Sequence, residues 1–345
     1  MATDRRIVQG WWVVLLALVV TPLWGTEYFV APGGSDSNDG TSGWGQAFAT
    51  ISNAVAQASA SDVVTVSNGT YNISAEIIVN KAVTVRSFGG GVYGGLANAT
   101  NTVIDGPANL GNSGPRIFSV TDAGAVLDGL TITDGDGRLQ SPGGLGVYMT
   151  DGLLVNCIIK ENGDMDTNTD HADGGGVYMT GGTVANCTVQ ANKVRYGSTT
   201  GAGIYATGGQ ILYSRILDNE TWGSGGGGGI FATSASVLIR SCLITGNSAT
   251  AAAGGGVRGG TVESCTIVGN TDSSTGDGVY GCTVKNSIVL DNGDSNYSGG
   301  SFTFSSSSPT PSGDGNVASA SFVDAAGGNY QLLACPAVDA GTNDT

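Results

Sequence analysis

From Val63 to Asn292 the chain is a succession of short aliphatic and β-branched runs, alternating with polar positions and punctuated by Gly and Asn. Between Gly143 and Asn292 the runs recur in pairs. The first member of each pair opens as GGLGVYMT, GGGVYMT, GAGIYAT, GGGIFAT, GGGVRGG and GDGVYG, with first aliphatics at Val147, Val177, Ile204, Ile230, Val257 and Val279. The second reads CIIKEN, CTVQAN, SRILDN, CLITGN, CTIVGN and SIVLDN, centred on Ile159, Val189, Ile216, Ile244, Ile267 and Val289 at intervals of 30, 27, 28, 23 and 22 residues. A recurrence of that length marks an array of stacked supersecondary units. Within a unit the period is two and the residues are Val, Ile and Thr, which is strand chemistry.

No segment between these runs is long enough for a crossover helix. Short strands and tight turns repeating every 22–30 residues therefore predict an all-β chain, a right-handed single-stranded parallel β-helix in which each strand pairs with its equivalent one coil away. Equivalent residues then stack about 4.8 Å apart, and about ten coils make a rod about 48 Å long. Two columns follow directly. Asn162, Asn192, Asn219, Asn247, Asn270 and Asn292 form an inward ladder of amides, and Cys157, Cys187, Ser214, Cys242, Cys265 and Ser287 form a core column of small groups. Cys157 and Cys187 fall on adjacent coils, as do Cys242 and Cys265, so a bridge within either pair is the alternative to a column of free thiols.

The remainder divides around this array. Residues 1–25 read as a signal peptide, with Arg5 and Arg6 ahead of the apolar run Trp11–Val20 and cleavage near Gly25; the alternative is an uncleaved anchor, for which the run is short. Residues 26–62 read as an N-terminal cap in which Gln46–Ala58 is a short amphipathic helix closing the end of the stack. The coils occupy 63–320, less regularly in VVTV, EIIV, AVTVRS and TVID, and 321–345 closes the array through Phe322, Tyr330 and Leu332.

The paired signatures resemble the repeats of polymorphic outer membrane proteins and of other secreted right-handed β-helix proteins of the pectin-lyase-like superfamily. YFVAPGGSDSNDGTS (Tyr28–Ser42) and SFVDAAGGNYQLLACPAVDAG (Ser321–Gly341) resemble the opening and closing stretches of such proteins, which carry Ser where this chain has Cys335. The resemblance implies the fold. It leaves function open, because that superfamily holds lyases, hydrolases, adhesins and inert scaffolds.

Composition adds limits. With 59 Gly and 12% charged residues the chain suits many corners and few helices. Against 13 Lys+Arg stand 28 Asp+Glu, a net charge of −15, which argues against nucleic acid or an anionic membrane as partner and against unaided binding of a polyanionic sugar. Divalent cations would reverse that locally. The sequons at Asn68, Asn72, Asn98, Asn186, Asn219, Asn296 and Asn343 matter only in a glycosylating host, and Asn186 is expected on the buried side of a strand.

Chemistry concentrates just after the Asn ladder. There TDGDGR (133–138), ENGDMDTNTDHAD (161–173), NKVRYGSTT (192–200) and NETWGSG (219–225) leave one corner on consecutive coils. One lateral patch should therefore hold Asp134, Asp136, Glu161 and Glu220, with Arg138, His171, Tyr196 and Trp222 as sugar-contacting groups and Lys193 and Arg195 as cations. Asp164, Asp166, Asn168 and Asp170 alternate oxygen donors as a Ca²⁺ loop does, without its Gly at position six or Glu at position twelve. Asp36, Asn38 and Asp39 offer either a Ca²⁺ site or a hydrogen-bonded turn bracing the cap. Two functions compete. The first is an exported surface or matrix protein, adhesin-like, contacting glycans through this side, or a passenger fragment of a larger adhesin. The second is a Ca²⁺-dependent pectate-type polysaccharide lyase in which Lys193 or Arg195 is the base. The lyase segment RxPxxR implied by the resemblance is missing, and Arg116 in GPRIF is a poor substitute.

Overall fold

The computed structural model describes residues 25–107, 114–136, 142–163, 173–195, 197, 199–325 and 327–333. All but one residue of the expected signal peptide, and Cys335, lie outside them. The described chain forms a parallel β-helix. A first sheet of twelve strands includes Glu27–Val30, Val63–Ser67, Val126–Asp128, Leu153–Val155 and Thr183–Ala185. A second, of ten, includes Thr131–Thr133, Ile158–Lys160, Thr188–Gln190 and Arg215–Leu217, so the expected ten coils are seen there. A third, of nine, includes Phe118–Val120, Val147–Met149, Val177–Met179 and Ile204–Ala206. A fourth, of four two-residue strands, runs Lys193–Val194, Glu220–Thr221, Ser248–Ala249 and Thr271–Asp272. Register is one coil to the next, as in Ile132↔Ile159↔Val189↔Ile216.

Three-residue strands put their middle residue on one face and its neighbours on the other. In the first two sheets the middle residue points in: Leu154, Val184, Ile159, Val189 and Ile216 are buried. In the third the outer pair points in, as with Val147 and Met149. Each coil turns its corners with a single residue of left-handed backbone. One such column is Asn156, Asn186, Tyr213, Ser241, Ser264 and Asn286, with φ between 48° and 54°.

The next corner is held by the asparagine ladder. Asn192 donates its backbone N–H and its Nδ2–H to Asn219 Oδ1 at 3.0 and 2.9 Å, while its Nδ2 also donates to the Ile159 carbonyl at 3.0 Å. Asn162, Asn219, Asn247 and Asn270 repeat the pattern onto the next coil. All six are buried, so every amide is paired where no water reaches it. The Cys157, Cys187, Ser214, Cys242, Cys265 and Ser287 column lies in the core as expected. The five described cysteines are free thiols, and burial pushes the Cys187, Cys265 and Cys282 thiols up, the last to about 12.

Several local expectations change. The cap helix, α1, spans Ile51–Gln57 rather than beginning at Gln46, because Thr50 Oγ1 caps it by accepting Asn53 N–H at 3.2 Å. Phe48 sits outside it, bridged to Val30, and Glu27–Val30 is itself the first strand of the first sheet. Asp36 accepts Ala49 and Thr50 N–H at 3.0 and 2.9 Å, and Asp39 accepts Thr41 and Ser42 N–H at 2.8 and 2.9 Å, so these carboxylates brace the cap. A second helix, α2 (Leu96–Ala99), interrupts the early coils. The closing segment folds into an antiparallel hairpin, Phe322–Asp324 with Asn329–Leu332, whose Tyr330 hydroxyl lies 3.5 Å from Thr245 Oγ1 on the outside of the second sheet. It thus reaches back along the flank, on which Val268 and Leu290, in register with Thr245, are buried. Among the described sequon asparagines, Asn98 and Asn219 are buried, the latter in the ladder; Asn186 is exposed, because its left-handed turn directs the side chain outward to Asn156.

Candidate functional site

The corner after the ladder brings successive coils into one row. Gly163 N–H donates to Gly135 O at 3.0 Å, Gly163 bridges Lys193, and Lys193 pairs with Glu220. Because the ladder fixes this corner, side chains one coil apart face one another across it. They line an open cleft of about 450 Å³ formed by Asp134, Glu161, Asn162, Gly163, Ala191 and Lys193. Lys193 Nζ meets Glu220 Oε2 at 3.2 Å, and Lys160 Nζ meets Glu161 Oε2 at 2.8 Å. On the strand below, burial, reinforced by the Asp134 carboxylate, pushes the Asp105 carboxyl up.

Beyond the cleft, the Arg195 guanidinium lies over the Trp222 ring, 4.2 Å from its centroid, and the Trp222 indole N–H donates to the Glu220 carboxylate. Trp222 is 41% exposed. Glu220 thus holds Lys193 on one side and Trp222 on the other, a bracing role that its sequence position alone does not reveal. Of the expected site residues, Lys193, Arg195 and Trp222 are brought together. Arg138, Asp164, Asp166, Asn168, Asp170, His171 and Tyr196 lie outside the described residues. Among the described residues, no three His, Cys, Asp or Glu side chains converge as a metal site.

Arg116 is structural. It is buried, donates to the Gly143 and Pro142 carbonyls at 3.0 and 2.9 Å and pairs with Glu76 at 3.2 Å.

A further feature adjoins the corner. On the outer face of the third sheet Tyr148, Tyr178, Tyr205 and Phe231 stack along the axis, with centroids 5.8, 4.7 and 5.5 Å apart. Arg116 lies over Tyr148 at 4.9 Å, and Arg258 sits between Phe231 and Tyr280 at 5.3 Å from each. Burial, with the Asp173 carboxylate nearby, pushes the Tyr178 and Tyr205 hydroxyls up. The signal was present in the openings, where the residue after the first aliphatic reads Tyr, Tyr, Tyr, Phe, Arg, Tyr; attention to the inward aliphatic hides its outward neighbour.

Residues 175–330 match the family model of the right handed beta helix region. Among solved structures, pectate lyase Pel9A is 16% identical, with 80% of this chain and 74% of that one aligned at a TM-score of 0.51. The pectin methylesterase from Aspergillus niger is 13% identical over 80% of this chain and 81% of its own, at 0.42. A rhamnogalacturonan lyase is 16% identical over 78% and 69%, at 0.36. No curated protein matches by sequence. The chain is a right-handed parallel β-helix, and at these identities likeness speaks to fold alone. No helix among the described residues is long and apolar enough to cross a membrane.

Proposed function

We propose that the chain is an exported surface or matrix β-helix that contacts glycans through the corner between Asp134 and Trp222. The observation that carries this is the Lys193–Glu220–Trp222 arrangement at the mouth of an open cleft. Carboxylates and an ammonium on successive coils offer acceptors and donors at the strand spacing, suited to a hydroxyl-rich chain crossing the coils. The exposed indole, held flat by Arg195 and anchored by Glu220, offers an apolar face for a sugar ring. A fragment of a larger adhesin would use the same surface in the same way.

One observation favours a second reading, a polysaccharide lyase: Lys193 lines the cleft beside Asp134 and Glu161, and a pectate lyase shares the fold. There Asp164, Asp166, Asn168 and Asp170 would hold Ca²⁺, which raises the acidity of a uronate, and Lys193 or Arg195 would accept the proton α to its carboxylate. Arg195, laid against Trp222, is the less available of the two.

The test combines a glycan array with absorbance of unsaturated uronates from polygalacturonate and alginate, each with Ca²⁺ and with chelator. Array binding that Lys193→Ala and Trp222→Ala each weaken, without unsaturated product, supports the contacting role. Chelator-sensitive product lost in Lys193→Ala replaces it with the lyase, and neither signal removes glycans from this corner.

A further inference from the structure

The first coils carry a separate aromatic surface, on the outer face of the first sheet and away from the corner cleft. Phe29 meets Trp44 edge-on at 4.9 Å, Trp44 stacks on Phe88 at 5.4 Å, and Phe88 packs on Tyr93 at 4.8 Å. The four rings come from the strand Glu27–Val30, the 3₁₀ turn Trp44–Gln46, the strand Thr84–Gly89 and its antiparallel partner Val92–Tyr93. The core is filled without them, by Val30, Val64 and Val85 on the opposite face. Trp44 is 39%, Tyr93 47% and Val92 61% exposed. Contiguous exposed aromatic surface of this kind marks an interaction site.

Its charge narrows the partner. Arg86 lies 4.0 Å over the Tyr93 ring and pairs with Glu27 at 3.0 Å, while Glu27 also accepts the Thr65 hydroxyl at 2.6 Å. The pair is half-buried and self-compensating, so the platform offers no spare charge in a chain of net −15. An acidic ligand would meet the field of the whole chain, and a basic one would have to displace Arg86 from Glu27. What remains is a neutral ligand with both apolar faces and hydrogen-bonding edges. Space is present too: a Cβ placed on Gly43, Gly45, Gly90 or Gly91, around the rings, would meet nothing within 4 Å.

We propose that this platform is a second binding site, for an uncharged oligosaccharide, with sugar C–H faces against Trp44 and Tyr93 and hydroxyls toward Glu27 and Arg86. It is independent of the corner cleft.

Cellohexaose, xylohexaose and mannohexaose are titrated into the full chain by calorimetry, with hexagalacturonate as the charged control. At least one neutral hexasaccharide should bind. Trp44→Ala should weaken that binding about tenfold or more by removing one aromatic surface on which a sugar ring stacks, whereas Lys193→Ala should leave it unchanged. Gly45→Gln adds a side chain in open space without touching the core, and should weaken binding with unfolding unaltered; it decides the matter if Trp44→Ala fails to fold. Binding of no neutral sugar, or binding lost in Lys193→Ala and kept in Trp44→Ala, overturns the proposal. A concentration-dependent dimer abolished by Gly45→Gln in sedimentation would assign the surface to a second copy of the chain instead.

Discussion

On the inner side of the corner after the second sheet, six coils in succession present asparagine, all buried. One residue earlier, on the outer side of the same corner, the column reads Glu161, Ala191, Asp218, Gly246, Gly269 and Asp291, every one at φ between 51° and 70°. The inner position must satisfy identical hydrogen bonds above and below, and only an amide of that length does so. The outer position must only tolerate left-handed backbone. Uniformity is enforced where coils bond through side chains and relaxed where they face water, so this scaffold can vary its surface chemistry coil by coil without disturbing its frame.

The sharpest way to break that comparison is to exchange stability effects between the two sides. Asn219→Ala would strip the acceptor from Asn192 N–H and Nδ2 and remove a donor from Val189 O, leaving buried groups unsatisfied; a loss of about 3–5 kcal/mol is expected in urea unfolding. Lys193→Ala, at a partly exposed ion pair on the outer side, should cost under about 1 kcal/mol. Equal losses would dissolve the distinction.

The thiol column sharpens it differently, because Cys and Ser already share that position. Cys187→Ser should change stability by less than about 1.5 kcal/mol, since Ser214 on the next coil donates its hydroxyl to the Leu212 carbonyl at 2.8 Å just as Cys187 Sγ reaches Ala185 O at 3.2 Å. Native protein should yield at most one thiol to Ellman's reagent, with all six reacting in denaturant; two or more reacting natively would contradict five buried thiols.

A smaller effect is expected from pH. The raised Asp105 carboxyl binds its proton more tightly in the folded state than in the unfolded chain. Its contribution is therefore most favourable when protonated and is lost as pH rises from the ordinary carboxylate range through the folded value. Asp105→Asn should be slightly more stable than the parent at neutral pH, with the gain vanishing on acidification; a gain that grows in acid would reverse the assignment. Smallest of all, Ala191→Gly relieves a left-handed alanine at φ 53° but loosens the unfolded chain, for a net gain of at most about 0.5 kcal/mol in urea unfolding.

What could be read from the chain alone follows from how local the cause is. The Asn and Cys columns and the row from Glu161 through Lys193 to Glu220 recur with the coil, so the period places them. The Tyr330–Thr245 contact spans 85 residues and obeys no period, which is why the closing hairpin's place on the flank was not legible. The α2 helix falls in the irregular early coils, where no second copy exists to reveal an insertion. The platform of Phe29, Trp44, Phe88 and Tyr93 assembles from segments whose spacing carries no signal until the first three strands are stacked. Glu220's role was illegible for a simpler reason: in sequence it is one solvated acid among 28 Asp+Glu, and only its two partners distinguish it.

The ladder also has a direction. From one asparagine side chain to another, the proton always goes to the amide oxygen of the coil after it, never the reverse, so this row of amides behaves like a polymer with a growing end that asks one thing of any added unit: a carbonyl oxygen in the right place. At the last rung Asn296, only four residues on, supplies that oxygen to Asn292 at 3.0 and 3.1 Å and turns its own amide aside to Ser308. It acts as a chain terminator. The number of rungs is then set by where a local stop is written, and whole coils can be gained or lost upstream of it as single units.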